Sequence, residues 1–422
     1  MAGESIDNLM PRDVAFKAEN AGVIKANLDF FSTLMLALLA GAFLGFGAVF
    51  TTTVMTGNGL DGAIKLPYGI VRVLGGAAFC LGLILVTIAG AEMFTGNVLL
   101  VMAAASRKIN PRKLLRNWSI VFGGNFLGAA LTAFMVFLSG QYLMLHGQVG
   151  ITALDLAEHK CDLTFVQALT RAIFCNVLVC LAYWLSISGR TAIDKVVVIL
   201  FPVTAFVTSG FEHSVANMYF ISVALFIKNH APAEFWSLAH AAPDQFSHVT
   251  LERFLLGNLL PVTLGNIVGG LMVGLMYWGI YCRSNIMMRA QDQELLSHLT
   301  RDGRRRYKRI YVDGLVTLRF HGQEYHGKLR NIGQGGLMAE FYEASGLPTP
   351  GDEIALDVAF EDFSVKLTEL PGILMQAGSS KNLMGRSYFL FSIMFGDLPK
   401  GASEELKRIV DMALRVQKAG AT

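Results

Sequence analysis

Charge is scarce in this chain. Its 422 residues hold 35 basic and 32 acidic side chains, 16% charged in all, against 53% hydrophobic, and the mean hydropathy is +0.48. That balance excludes an ordinary soluble protein and points to a bilayer. Cysteine is equally thin. Cys80, Cys161, Cys175, Cys180 and Cys282 form no Cys-x-x-Cys and no metal-ligand spacing, so they read as small apolar residues and no metal site is expected. Residues 1–28 are polar and lack the apolar core of a signal peptide, so no cleavage is expected there. No nucleophile–base pair or metal constellation stands out, which predicts no catalytic residue and no enzyme.

What is present is a set of long uncharged runs. A helix needs about 20 apolar residues to cross a bilayer. Runs at 30–56, 73–91 continuing to 106, 118–145, 172–189, 196–227 and 254–282 predict six spans. The second and fifth are interrupted, by residues 92–97 and by 210–213. The short loop "SRKINPRKLLRN" is strongly basic, as is the segment after the sixth run, whereas "HGQVGITALDLAEHKCDL" is mildly acidic. By the positive-inside bias both termini lie in the cytoplasm.

The two halves repeat each other. "EMFTGN" and "EHSVAN" each run from Glu to Asn, and Asn117, Asn125 and Gly128 recur with the same spacing as Asn258, Asn266 and Gly269. Three spans per half make the repeats inverted, and matched helix breaks in inverted repeats point to a solute path near the midplane. The glycine spacings read first as close helix packing. Broken backbone at membrane depth survives only where protein buries it or a cavity is lined by it. The half-helix N-termini suit an anion. Thr95 adds a hydroxyl, and His213 either donates to an anion or bonds a carbonyl as a structural histidine. Glu92 and Glu212 read as supports of the breaks. Neither break carries the Asn-Pro-Ala of water and glycerol channels, which argues against a neutral-solute pore.

In order, "GAEMFTGN", "LLRNWSIVFGGNFLGA", "LAYWLSISGRTAIDKV", "FVTSGFEHSVANMY" and "LLPVTLGNIVGG" resemble the formate/nitrite transporter family over residues 10–285. The resemblance implies a membrane all-α fold: an aquaporin-like six-helix inverted-repeat channel with broken helices 2 and 5, one pore per protomer of a homopentamer in a bacterial inner membrane. It implies a central histidine at His213 facing the Thr95 hydroxyl, a vestibule lysine at Lys160 and a pore asparagine at Asn176. The implied constrictions are Phe79, Leu83 and Phe206 toward the periplasm, and Met93 and Phe94 toward the cytoplasm. By periodicity alone these apolar residues are core packing, and by residue type alone Lys160 is a solvated surface lysine. The implied substrate is a small monovalent anion, formate first, with nitrite and bicarbonate as alternatives. Desolvating a bare carboxylate is costly, so a weak acid crosses most easily when neutral.

Composition shifts near residue 283. The expected division is a polar segment 1–28, a channel domain 29–283, a linker 284–300 and a soluble domain 301–422. The last combines "RRRYKR" with alternating strands "VDGLVTLRF" and "EYHGKLRNI" around a turn at Gly322. An arginine cluster beside a membrane fits anionic lipid as well as phosphate and guanine edges. The segment resembles the PilZ domain, a six-stranded β-barrel that binds cyclic di-GMP. That resemblance implies nucleotide contacts from Arg304, Arg305 and Arg309, then from Asn331 and Gly336, with Gly333 at the position of a serine. It also implies a closing helix near the end and a regulatory ligand. A barrel that has lost binding is the alternative. The expected partners are therefore the anion, cyclic di-GMP, membrane lipid and copies of the chain, with no nucleic acid.

Overall fold

The computed structural model describes residues 9–58, 65–283, 309–310, 314–341, 346–360, 365–381 and 387–419. Arg304, Arg305 and the expected linker 284–300 lie outside them. Two compact units emerge, Met1–Ile286 and Met287–Thr422.

The first unit is helical. It runs α1 (Pro11–Ala26), α2 (Phe30–Met55), α3 (Tyr68–Ala89), α4 (Phe94–Ala105), α5 (Pro111–Leu138), α6 (Gln148–Cys161), α7 (Phe165–Ser188), α8 (Ala192–Thr208), α9 (Ser214–His230) and α10 (Arg253–Cys282). Five of these, α2, α3, α5, α7 and α10, are long and apolar enough to cross a membrane, with hydropathies from 1.8 to 2.2. The remaining expected span is divided into α8 and α9, each 17 residues long. Sequence sets the helix starts. Asn110 accepts the Lys113 N–H, and Thr164 with Gln167 and Thr191 with Asp194 form capping boxes.

Two segments differ from the sequence reading. The polar N-terminus contains α1, which buries Val14, Ala15 and Ala18 against Met102, Trp184 and Cys282. The acidic loop after the third run contains α6. Val149, Ala153, Leu154, Ala157 and Cys161 recur at helical spacing and are buried. Counting charges hid that apolar stripe.

The first break is also displaced. It spans Gly90–Met93 rather than 92–97, so Thr95, Gly96 and Asn97 lie within α4. The chain leaves α3 through Gly90 at φ 82°, and leaves α8 through Gly210 at φ 68°. Both angles are left-handed and favour glycine.

α2 packs on α5, and α7 on α10. Backbones touch at those seams: a methyl on Gly128 would collide with the Leu38 carbonyl, and one on Gly269 with the Ile173 carbonyl. Overpacking of this kind costs about 1–3 kcal/mol. Gly128→Ala is therefore expected to lower the unfolding temperature in detergent. Gly123→Ala, where the added methyl meets nothing within 4 Å, is expected not to lower it.

The second unit holds β1 (Arg309–Ile310), β2 (Gly314–Phe320), β3 (Gln323–Gly333), β4 (Gly336–Phe341), β5 (Glu353–Phe360), β6 (Val365–Lys381), β7 (Ser387–Phe395) and α11 (Lys400–Ala419). Strands β3-β2-β5-β6-β7-β4 form an antiparallel ring, closed because β4 pairs back to β3, and β1 adds to the end of β3. Closure leaves no free edge among the six. His321 and Gly322, both at positive φ, form the two-residue β2–β3 turn. Leu406, Ile409 and Val410 of α11 are buried with Ile310 and Leu329 in the barrel's apolar core.

Candidate functional site

Two asparagines close the helix breaks. Asn125 Oδ1 accepts the Phe94 N–H at 2.8 Å, while its Nδ2 donates to the Ala37 carbonyl at 2.8 Å and the Glu92 carbonyl at 2.9 Å. Asn266 does the same in the other half. It accepts from Ser214 N at 2.9 Å and donates to Ala172 O at 2.9 Å and Glu212 O at 3.0 Å. Each side chain satisfies the first amide of one half-helix and one carbonyl of the break, and ties them to a carbonyl inside a neighbouring long helix.

The two glutamates anchor a second matched set. Lys25 Nζ meets Glu92 Oε1 at 3.1 Å, and Asn97 Nδ2 donates to Glu92 Oε2 at 2.6 Å and to Asn117 Oδ1 at 2.9 Å. Lys160 Nζ meets Glu212 Oε1 at 2.9 Å, and Asn217 Nδ2 donates to Glu212 Oε2 at 2.6 Å and to Asn258 Oδ1 at 2.7 Å. Asn117 and Asn258 return to the carbonyls of Lys25 and Lys160. The repeat thus extends beyond three spans to a preceding short helix that delivers a lysine. Sequence reasoning missed Lys25 because it lies in the polar N-terminal segment. It also treated Asn117, Asn125, Asn258 and Asn266 only as markers of the repeat.

His213 and Thr95 meet between these supports, with Thr95 Oγ1 2.8 Å from His213 Nε2 and both residues buried. His213 is also the N-cap of α9, since its Nδ1 accepts the Ala216 N–H at 3.1 Å. A nitrogen that accepts carries no proton, so the neutral ring holds its proton on Nε2 and donates to Thr95. The Thr95 hydroxyl hydrogen is then free to turn elsewhere. Asn176 Nδ2 donates to the Thr95 carbonyl at 3.2 Å and to the Asn266 carbonyl at 2.6 Å, which links the two breaks. The N-terminal ends of α4 and α9 therefore face one another, and their dipoles make the meeting point favourable to negative charge.

A cavity flanks each lysine. The Lys160 cavity, about 490 Å³, is lined by Phe79, Phe206, Phe220, Glu212 and His213. The Lys25 cavity, about 150 Å³, is lined by Leu83, Glu92, Met93, Asn97 and Tyr183. Phe79 and Phe206 make an edge-to-face contact at 5.8 Å, and Phe206 stacks on His213 at 5.9 Å. Leu83 was expected beside Phe79 and Phe206. It lies one helical turn further along α3 and lines the Lys25 cavity with Met93. Phe94, expected beside Met93, turns instead against Trp118 and Phe122, at 6.2 and 5.1 Å, and lines neither cavity. Lys160 is not a solvated loop lysine: it sits near the end of α6 with its side chain 17% exposed.

In the barrel, the register places Arg309 opposite Gly333, and Gly333 opposite Gly336 across the β3–β4 turn. The backbone thereby gathers the second arginine position and the glycine element at one end of β3. Asn331 is buried, with Nδ2 near Met338 Sδ at 3.9 Å.

The family model for formate/nitrite transporters matches residues 12–279, well over half of the chain. The chain belongs to the formate/nitrite transporter family. It also carries a C-terminal PilZ domain, matched over residues 303–411. The formate channel FocA of Escherichia coli strain K12 is 45% identical over 285 residues, covering 67% of this chain and 98% of that protein. A probable formate transporter of Methanothermobacter thermautotrophicus is 36% identical over 290 residues, covering 65% and 97%. A solved pentameric formate channel with formate bound superposes at a TM-score of 0.57 with 44% identity, covering 60% of this chain and 98% of that one. This family member is thus a membrane protein with the channel fold of its relatives, followed in sequence by a closed antiparallel β-barrel.

The cap at His213 separates two roles by substitution. Asparagine caps as well as any residue, whereas alanine loses about 1 kcal/mol. His213→Ala is expected to unfold at a lower temperature than His213→Asn, measured by thermal scanning in detergent. Equal unfolding temperatures for the two variants would remove the capping role.

Proposed function

We propose that this chain forms a homopentameric channel in a bacterial inner membrane, with both termini in the cytoplasm. It passes small monovalent weak-acid anions, formate first, and cyclic di-GMP bound by the PilZ domain regulates it. The observation that carries the reading is the buried Thr95–His213 contact at the junction of two opposed half-helices. That junction attracts negative charge, while the Phe79–Phe206 pair beside it opposes a bare ion because desolvation is costly. A weak acid resolves the conflict by being drawn in charged and crossing neutral. The identity to formate channels supports formate as the substrate. Exposed apolar side chains such as Phe31, Leu127, Leu131 and Phe201 suit lipid and neighbouring protomers.

Uptake of radiolabelled formate into proteoliposomes holding the full chain tests the channel reading. His213→Asn is expected to lose the pH dependence of import, and unchanged uptake across pH counts against a proton role for His213.

For the regulatory half, formate flux is expected to change when cyclic di-GMP is added on the side of the PilZ domain. Equal flux with and without it sinks regulation. The paired change Arg305→Ala and Arg309→Ala is expected to abolish nucleotide binding in calorimetry, because arginine forks supply the phosphate and guanine contacts. Retained binding in that variant points to another set of contacts.

A further inference from the structure

The Lys160 cavity poses a question of charge. Lys160 is already neutralised by Glu212 at 2.9 Å and lies 5.6 Å from the Phe220 ring centroid. An ion pair presents a dipole rather than a net charge, and its attraction for an incoming anion is correspondingly weak. The cavity's other acid, Asp162, has its side chain 65% exposed and meets His248 Nε2 at 3.4 Å, so solvent screens its charge. Two further cations line the same cavity, Arg72 of α3 and Arg171 of α7. Tyr68 and Gln167, one helical turn before each, line it as well, so the arginines sit on the faces that α3 and α7 turn toward it.

Among the described residues neither guanidinium is matched by an acid. Arg72 Nη2 donates to the Val207 carbonyl, while its Nε is buried with no partner among the described residues. Arg171 is exposed, and no ion pair among the described residues includes it. A guanidinium grips a carboxylate or similar oxyanion through paired N–H donors.

We propose that Arg72 and Arg171 form an anion-binding site in the Lys160 cavity. It takes a small monovalent carboxylate or oxyanion in its charged form, ahead of the Phe79–Phe206 contact. The inference rests on the channel reading only for what becomes of the anion afterwards. The neutralised Lys160 then holds the helix break, and the two arginines set the affinity with which the mouth is loaded.

Phenylglyoxal labelling of the full chain in detergent, read by peptide mass spectrometry, tests the site without transport. Formate is expected to slow labelling of Arg72 and Arg171 by about threefold or more, the local concentrating effect of a cationic cleft. Labelling of Arg112, exposed and outside both cavities, serves as the control. Arg171 that resists labelling without formate, or rates that formate does not change, overturn the proposal. In proteoliposomes, Arg171→Gln is expected to raise the half-saturating formate concentration severalfold and to flatten its dependence on ionic strength, with Arg171→Lys in between. An Arg171→Gln protein indistinguishable from the parent in both respects overturns the proposal too. The two readings fail separately. Protection without flux in the parent protein keeps the site and sinks the channel, and flux without protection does the reverse.

Discussion

Breaking a helix inside a membrane strands amides and carbonyls where no water can reach them. Everything in the membrane unit answers to that constraint. Asn125 and Asn266 each absorb the first amide of a half-helix and one carbonyl of the break, and both come from long helices of the same half as the break they serve. Each asparagine needs its helix close to the break, and the glycine seams of α5 and α10 let the backbones approach. The close packing and the polar side chains are therefore two parts of one device.

The buried ion pairs carry a different burden. Removing two charges from water is expensive, and such pairs gain little net stability over apolar residues of like size. Breaking one by removing a single partner is far worse, because the other charge stays buried. Lys25–Glu92 and Lys160–Glu212 are further fixed by Asn97 and Asn217, which leaves each glutamate with both oxygens occupied. The geometry suits an element whose value lies in holding one conformation at a break rather than in adding stability.

Much of this was legible in the chain. Matched Glu-to-Asn stretches and the recurring Asn and Gly marked both breaks before any coordinates. Hydropathy found the spans, and the alternation around Gly322 found the hairpin. Boundaries were less legible. The first break was placed on residues 92–97 because polar residues in an apolar run suggest unwinding. In fact Phe94–Asn97 are helical, and Asn97 reaches back to the Glu92 carboxylate in the break before them. Lys25 was hidden in a segment judged by charge, and the helix that carries Lys160 went unread although Val149, Ala153 and Ala157 form a helical stripe. Leu83 and Phe94 were placed in the constrictions by the family resemblance, and only the rotation of α3 and α4 assigns the direction each side chain takes. Arg72 and Arg171 drew no notice because arginines near helix ends read as interfacial anchors.

The cap on α9 has a consequence for protons. A histidine that relays a proton takes one up at one ring nitrogen and releases another from the opposite side. His213 Nδ1 already holds the Ala216 amide, so uptake there breaks the first turn of α9. The ring is a dead end and not a wire: it exchanges protons through Nε2 alone, on the side of Thr95. If a proton crosses with an anion, it must ride on the anion past this point, and the two move as one neutral molecule.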